Sequence, residues 1–214
     1  MCPRVLPSWD SMTLEIRPAA PKDRAFIRGL YERQIGGDLR AAKLLDAPQL
    51  GGAVVGLVAY AGGERVGFAL ATPAFAAMRS AASLGWSNEG LEWLTASVRK
   101  LEAIAVEPAA QSHGYGTALL HEVIRGVAPE PGDEMYLYGQ CRNERRLISW
   151  YRREGFHVDR PGRPLILPAI GGQAFGLSSD HPRDRWFQMT LHTIPTEQMP
   201  TRPPLRRLRD FLRR

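Results

Sequence analysis

Apolar and polar positions along this chain change period repeatedly, and each change marks an element. Over residues 13–17 the alternation Thr-Leu-Glu-Ile-Arg predicts a first strand, closed by Pro18. Pro21, Lys22 and Asp23 then open a helix on which Phe26, Ile27, Leu30 and Tyr31 form one apolar stripe. A second helical piece runs over 38–45 and stops before Pro48. Residues 53–60 and 64–72 are apolar runs joined by Ala61-Gly62-Gly63, which predicts a hairpin with Val54, Val55, Leu57, Val58, Val66, Phe68 and Leu70 in the core. Between Pro73 and Lys100 the chain makes a longer connection containing Trp86 and Trp93, helical over 88–95.

Residues 101–127 read as a strand that passes through a turn into a helix. Leu-Glu-Ala-Ile-Ala-Val is apolar enough for the inside of a sheet, Pro108 ends it, and Gly116-Thr117-Ala118-Leu119-Leu120 resumes as helix. Glu102, Ile104 and Val106 share one face of that strand, and Leu101, Ala103 and Ala105 the other. A strand over 135–140, a helix from Asn143 whose Leu147, Ile148 and Tyr151 share a face, a short strand at 165–167 and a final strand over 185–191 follow.

The turn carries the first chemistry. A helix start leaves backbone N–H groups pointing outward at the positive end of the helix dipole. Gly114 and Gly116 have no side chain to hold a phosphate away, so residues 112–117 suit a cradle of amides for a pyrophosphate. A flexible turn is the alternative reading of a lone Gly-x-Gly.

Ile104-Ala105-Val106-Glu107-Pro108, followed by Gln111-Ser112-His113-Gly114-Tyr115-Gly116-Thr117, resembles the acetyl-CoA signature of the GCN5-related N-acetyltransferases (GNAT) in its Q/RxxGxG/A form. Residues 143–156, NERRLISWYRREGF, resemble that family's second motif. The resemblance implies an α/β GNAT acyl-CoA N-acyltransferase fold: a mixed, mostly antiparallel sheet with helices on both faces and a donor cleft where two central strands splay. It implies that Ile104, Ala105 and Val106 pair by main chain with the pantetheine arm, that Gln111, Ser112, His113, Gly114, Tyr115, Gly116 and Thr117 hold the pyrophosphate, and that Asn143 reaches the CoA arm. Acetyl-CoA would be the co-substrate, with no metal and no covalent intermediate.

Transfer to an amine needs a neutral nucleophile. An ammonium of pKa near 10.4 lies about 3.4 units above pH 7, roughly 4.6 kcal/mol from its free base. A positioned carboxylate takes that proton, and Glu102 is the candidate base; pairing with an Arg at a strand edge is its structural alternative. Tyr151 matches the tyrosine that protonates the leaving thiolate in relatives, and a core aromatic is its alternative. Asn143 also reads as a helix cap. Relatives that acetylate the N-terminus of a ribosomal protein often carry a Glu where this chain has Tyr138, which lowers that assignment. His113 reads as a solvent-facing loop residue, Cys141 as packing, and Ser178-Ser179-Asp180-His181 as a loop near the acceptor entrance rather than a triad. The 74–99 insertion either covers the acceptor pocket or packs its tryptophans on the core as a flap.

Composition adds limits. A length of 214 residues with 44% hydrophobic and 23% charged suits one globular domain, here read as 12–194 between a flexible 1–11 and a basic Pro/Arg-rich tail at 195–214. Most of the net charge of +6 sits in that tail, where Arg202, Arg206, Arg207, Arg209, Arg213 and Arg214 face only Glu197 and Asp210. A nucleic-acid-binding body is therefore not expected. Cys2 and Cys141 make neither a disulfide framework nor a metal cluster. No apolar run is long enough to span a membrane and no signal peptide is evident, so a cytoplasmic location is expected. The partners expected are a small-molecule or peptide amine acceptor and a possible homodimer. The alternative is a non-catalytic acyl-CoA-binding or sensing module of the same fold; a longer acyl donor is a further variant.

Overall fold

The computed structural model describes residues 13–36, 54–167, 176–179 and 181–192. The expected helical piece at 38–45, both termini and the Gly171-Gly172 loop lie outside the described residues. Two compact units are distinguished: residues up to Thr72 with Leu101–Val127, and Pro73–Lys100 with residues from Ala128 onward.

In the first unit, Leu14–Pro18 (β1) pairs antiparallel with Val55–Ala61 (β2), Ile16 opposite Ala59. Strand β2 pairs with Glu64–Pro73 (β3), Val58 opposite Phe68. The hairpin forms where the sequence places it, because Gly62 and Gly63 both take positive φ, which a two-residue loop requires. The strand order continues β1-β2-β3-β4, with β4 being Val98–Val106. Helix Arg24–Gln34 (α1) buries Ile27 and Leu30 against Val58, Phe68, Leu70, Ala103 and Ala105. Each such burial stabilises by roughly 1.5–3 kcal/mol. Helix Tyr115–Gly126 (α4) buries Leu119, Leu120 and Val123 and packs on β1 and β2.

Asp23 does more than open α1. It is 1% exposed; Oδ2 accepts from the Ala20 amide at 2.9 Å, and Oδ1 from the Tyr60 hydroxyl at 2.9 Å and Arg65 Nε at 2.7 Å. One carboxylate thereby ties the start of α1 to β2 and β3.

In the second unit, the long connection is a pair of helices, Phe75–Ser83 (α2) and Asn88–Ser97 (α3). The Ser87 hydroxyl caps α3 by accepting from the Gly90 amide. Ala77 and Ala81 on α2 and Leu94 on α3 join Tyr138, Leu165, Leu167, Leu177 and Trp186 in one core, and Trp86 and Trp93 pack partly buried against it. Helix α2 extends the sequence reading, which placed a helix only at 88–95. Glu134–Cys141 (β5) pairs with Arg185–His192 (β9), which pairs on its other side with His157–Val158 (β6), all antiparallel. Helix Arg145–Arg153 (α5) packs on β6. Leu165–Ile166 (β7) and Gly176–Leu177 (β8) form a separate two-stranded ladder. Among the described residues no helix is long and apolar enough to cross a membrane.

Candidate active site

Along β4 burial alternates over 101–105, with Leu101, Ala103 and Ala105 buried and Glu102 and Ile104 half-buried, and the alternation ends at Val106, which is buried as well. The strand stops at Val106. The Glu107 amide donates to the Val66 carbonyl at 2.8 Å, and Arg33 holds the Glu107 carboxylate at 2.6 Å. A single 3-10 turn, Pro108–Ala110, then swings the chain away from the sheet. Gln111 folds back over it, donating from Nε2 to the Val106 carbonyl at 3.1 Å. The side chain of Gln111 therefore fixes the turn against the strand end.

Two residues of this turn lie in the left-handed region, Ser112 at φ 71° and Gly114 at φ 81°. Such a conformation costs a non-glycine residue of order 1 kcal/mol or more, and this kind of strain clusters at ligand-holding segments. Gly114 is the residue before the first turn of α4, and a Cβ there would meet nothing within 4 Å. The space next to the helix start is clear, as an amide cradle for an anion requires. His113 differs from the expectation of a solvent-facing residue. Its ring is half-buried, stacks on Tyr115 with centroids 5.9 Å apart, and has Nδ1 3.3 Å from the Ala110 carbonyl. Tyr115 is itself 5% exposed, so its side chain anchors the helix while Gly116 and Thr117 follow in the first turn.

Sequence reading passed over Gly67. A Cβ there would stand 2.8 Å from the Ala105 carbonyl oxygen and 3.1 Å from Leu119 Cδ1, so β3, β4 and α4 close together only over a glycine. The available signal was a glycine inside an otherwise unbroken apolar run. Glu102 Oε1 accepts from the Thr72 hydroxyl at 3.0 Å, and Thr72 also went unremarked.

In the second unit Tyr151 is 4% exposed. Its ring stacks on Phe187 at 3.8 Å and meets Phe156 edge-on at 5.6 Å. Burial, and then the neighbouring Cys141, raise its phenol above the ordinary tyrosine value, so it keeps its proton at neutral pH. The Gly-Phe that closes this helix has a structural cause. Gly155 takes φ 93° and Phe156 donates its amide to the Tyr151 carbonyl at 3.0 Å, a left-handed stop with an apolar contact behind it.

The helix-cap role expected of Asn143 is corrected. Glu144 holds the residue position before α5, and Asn143 Oδ1 instead accepts from Arg185 Nε at 2.6 Å. The Cys141 thiol is pushed up to about 11 by burial and by the Asp184 and Glu144 carboxylates, against a lowering by Arg185. Ser179 accepts from the Gln140 side-chain amide at 2.6 Å and from the His181 amide at 3.2 Å and donates to the His181 carbonyl at 2.7 Å, a local turn; Asp180 lies outside the described residues. Among the described residues no cluster of three His, Cys, Asp or Glu could hold a metal ion.

Residues 53–158 match the family model of the acetyltransferase (GNAT) domain. This stretch belongs to the GNAT acetyltransferase family. Both sequence motifs lie inside the matched stretch, as do Thr72 and Glu102. No curated protein matches the chain significantly. Solved structures do. A putative GNAT-family acetyltransferase from Desulfovibrio desulfuricans is 21% identical, with TM-score 0.52 over 84% of this chain and 99% of that one. Arabidopsis thaliana NAA60 in complex with a bisubstrate analogue is 19% identical, with TM-score 0.54 over 84% and 98%. A GNAT superfamily phosphinothricin acetyltransferase from Sinorhizobium meliloti in complex with AcCoA is 18% identical, with TM-score 0.55 over 91% and 96%. At these identities the likeness establishes the GNAT fold, α/β with a mixed, mostly antiparallel sheet, as the motifs implied.

Proposed function

We propose that this GNAT domain transfers an acetyl group from acetyl-CoA directly to a primary amine of a small molecule or peptide. The observation that carries the proposal is Gly114: a left-handed residue with cleared space, opening α4 directly after β4 and lying inside the family match.

In this reading the amides of residues 112–117 receive the pyrophosphate, with Gln111 holding their loop to Val106. The main chain of Ile104, Ala105 and Val106 receives the pantetheine arm, and the amide of Asn143 adds a contact to CoA. Glu102 takes the proton of the incoming ammonium. The amine then attacks the thioester carbonyl and the C–N bond forms; the C–S bond breaks, the new amide nitrogen loses its second proton to solvent, and CoA leaves as thiolate. Tyr151, which keeps its proton at neutral pH, is the acid that gives this proton to the departing thiolate and regains one from solvent.

The test has two arms. Gly114→Leu should weaken acetyl-CoA binding at least tenfold by calorimetry while the circular dichroism of the fold is kept. Glu102→Gln should lower kcat for thiol release across a panel of spermidine, kanamycin, lysine and a peptide with a free N-terminus. Retained CoA binding in Gly114→Leu removes the cradle, and an unchanged kcat in Glu102→Gln removes the base. The second reading, a CoA-binding module without turnover, is favoured by the burial of Tyr151 among Phe156 and Phe187. Binding of acetyl-CoA with no thiol release for any amine would select it.

A further inference from the structure

Asp23 and Thr72 are, among the described residues, the buried carboxylate and the buried aliphatic hydroxyl. Asp23 ties α1 to the sheet, as described above. Thr72 sits at 0% exposure near the end of β3, in a run buried from Val66 to Pro73. Valine has the same shape and equal strand preference, and would bury no hydroxyl there. A hydroxyl at such a position is tolerated when a partner satisfies it. That partner is Glu102, whose Oε1 lies 3.0 Å from Thr72 Oγ1.

We propose that Thr72 is a positioning residue for Glu102. The inference rests on the reading of Glu102 as the general base. A β-branched side chain is stiff about its first torsion, so the Thr72 hydroxyl has a fixed direction. Pro73, next in the chain, restricts the Thr72 backbone as well. A glutamate, by contrast, has three rotatable bonds and loses substantial freedom when held in one pose. Donation from a rigid hydroxyl to one carboxylate oxygen selects a single pose of Glu102 before the substrate arrives. Reaction rates respond steeply to such pre-orientation, because the proton must pass over a hydrogen-bond distance. Thr72 touches neither donor nor acceptor in this account; it acts only through Glu102.

The experiment uses the full chain with Thr72→Val, Thr72→Ala and Thr72→Ser, each alone and with Glu102→Gln. Thiol release is read with the amine of the panel that turns over fastest, and with water as acceptor where no amine does. Thr72→Val and Thr72→Ala should each lower kcat about tenfold, the scale of one hydrogen bond to a charged group, with KM for acetyl-CoA unchanged. Thr72→Ser should restore most of the rate. In the Glu102→Gln background, Thr72→Val should cost nothing further. A full rate in both Thr72→Val and Thr72→Ala, or an equal loss from Thr72→Val with and without Glu102→Gln, overturns the role of Thr72 and leaves the base assignment standing. An unchanged rate in Glu102→Gln alone, or no turnover of the unmodified chain with any amine or water, overturns both. A merely structural Thr72 would show itself in melting temperature without this dependence on Glu102.

Discussion

Gly67 on β3 backs onto the carbonyl of Ala105 on β4 so closely that one added carbon would lie 2.8 Å from that oxygen. The obstructing atom is main chain, which cannot rotate aside as a side chain can. Gly67→Ala must therefore push β4 outward, and overpacking of this kind costs about 1–3 kcal/mol. The strand displaced is the one proposed to receive the pantetheine arm. Denaturant unfolding should show the loss of stability, and calorimetry a weaker acetyl-CoA affinity. Wild-type values in both would mean that the strands yield without cost.

A second pairing concerns the family's other motif. Arg185 Nε binds Asn143 Oδ1 at 2.6 Å and Arg185 Nη1 binds the Asp159 carbonyl at 3.0 Å, so the arginine joins the entry of α5 to the chain just after β6. If the asparagine amide serves this link rather than a helix cap, Asn143→Ala and Arg185→Ala should be non-additive. A double-mutant cycle should give a coupling of about 0.5–1 kcal/mol, since the pair is largely exposed. Additive effects would mean that the two side chains act separately.

These pairings mark the boundary of what the sequence discloses. The strand, turn and helix around Gly114 were legible because their signals are local: an apolar run, Pro108 as its stop, glycines at a helix start. Helix α3 was legible as the helical stretch over 88–95, while its Ser87 cap emerged only in the structure. Helix α2 was not. Its Phe-Ala-Ala-Met-Arg-Ser-Ala-Ala-Ser run offers alanines, which favour a helix but give little apolar contrast to read a face from. The site's side-chain partners were also hidden, because each joins distant positions. Thr72 and Glu102 are 30 residues apart with two helices between them in the chain, and Asn143 and Arg185 are 42 apart. Periodicity reports which face a residue occupies and carries no information about which residue faces it from another strand.

The carboxylate of Asp23 has a pH consequence. Burial raises its pKa, but donation from the Ala20 amide, Arg65 and Tyr60, with the Arg65 charge, outweighs that and leaves the folded value below the ordinary one. A depressed folded pKa means the ionised form is favoured by folding. Its contribution is complete above the unfolded value of about 3.9 and is lost as pH falls from there through the lower folded value. Asp23→Ala should destabilise by roughly 3 kcal/mol at pH 7, because it strands the Tyr60 hydroxyl and Arg65 at once. The wild type should approach the variant's stability as pH drops below about 3.9. A gap that stays constant from pH 7 to pH 3 would contradict the linkage.

Direct transfer and a covalent acetyl-enzyme make opposite demands on Cys141. A thiol attacks as thiolate, and one pushed up to about 11 is almost wholly un-ionised at neutral pH. Its burial at 7% exposure also restricts access. In a Cys2→Ser background, the remaining thiol should therefore resist a disulfide reagent at pH 7.5 until the protein is unfolded, and react faster as the pH is raised toward 10. Cys141→Ser should keep thiol release from acetyl-CoA close to the wild-type rate. A fast-reacting native thiol, or a collapse of kcat in Cys141→Ser with the fold intact, would replace direct attack by the amine with a two-step route through the cysteine.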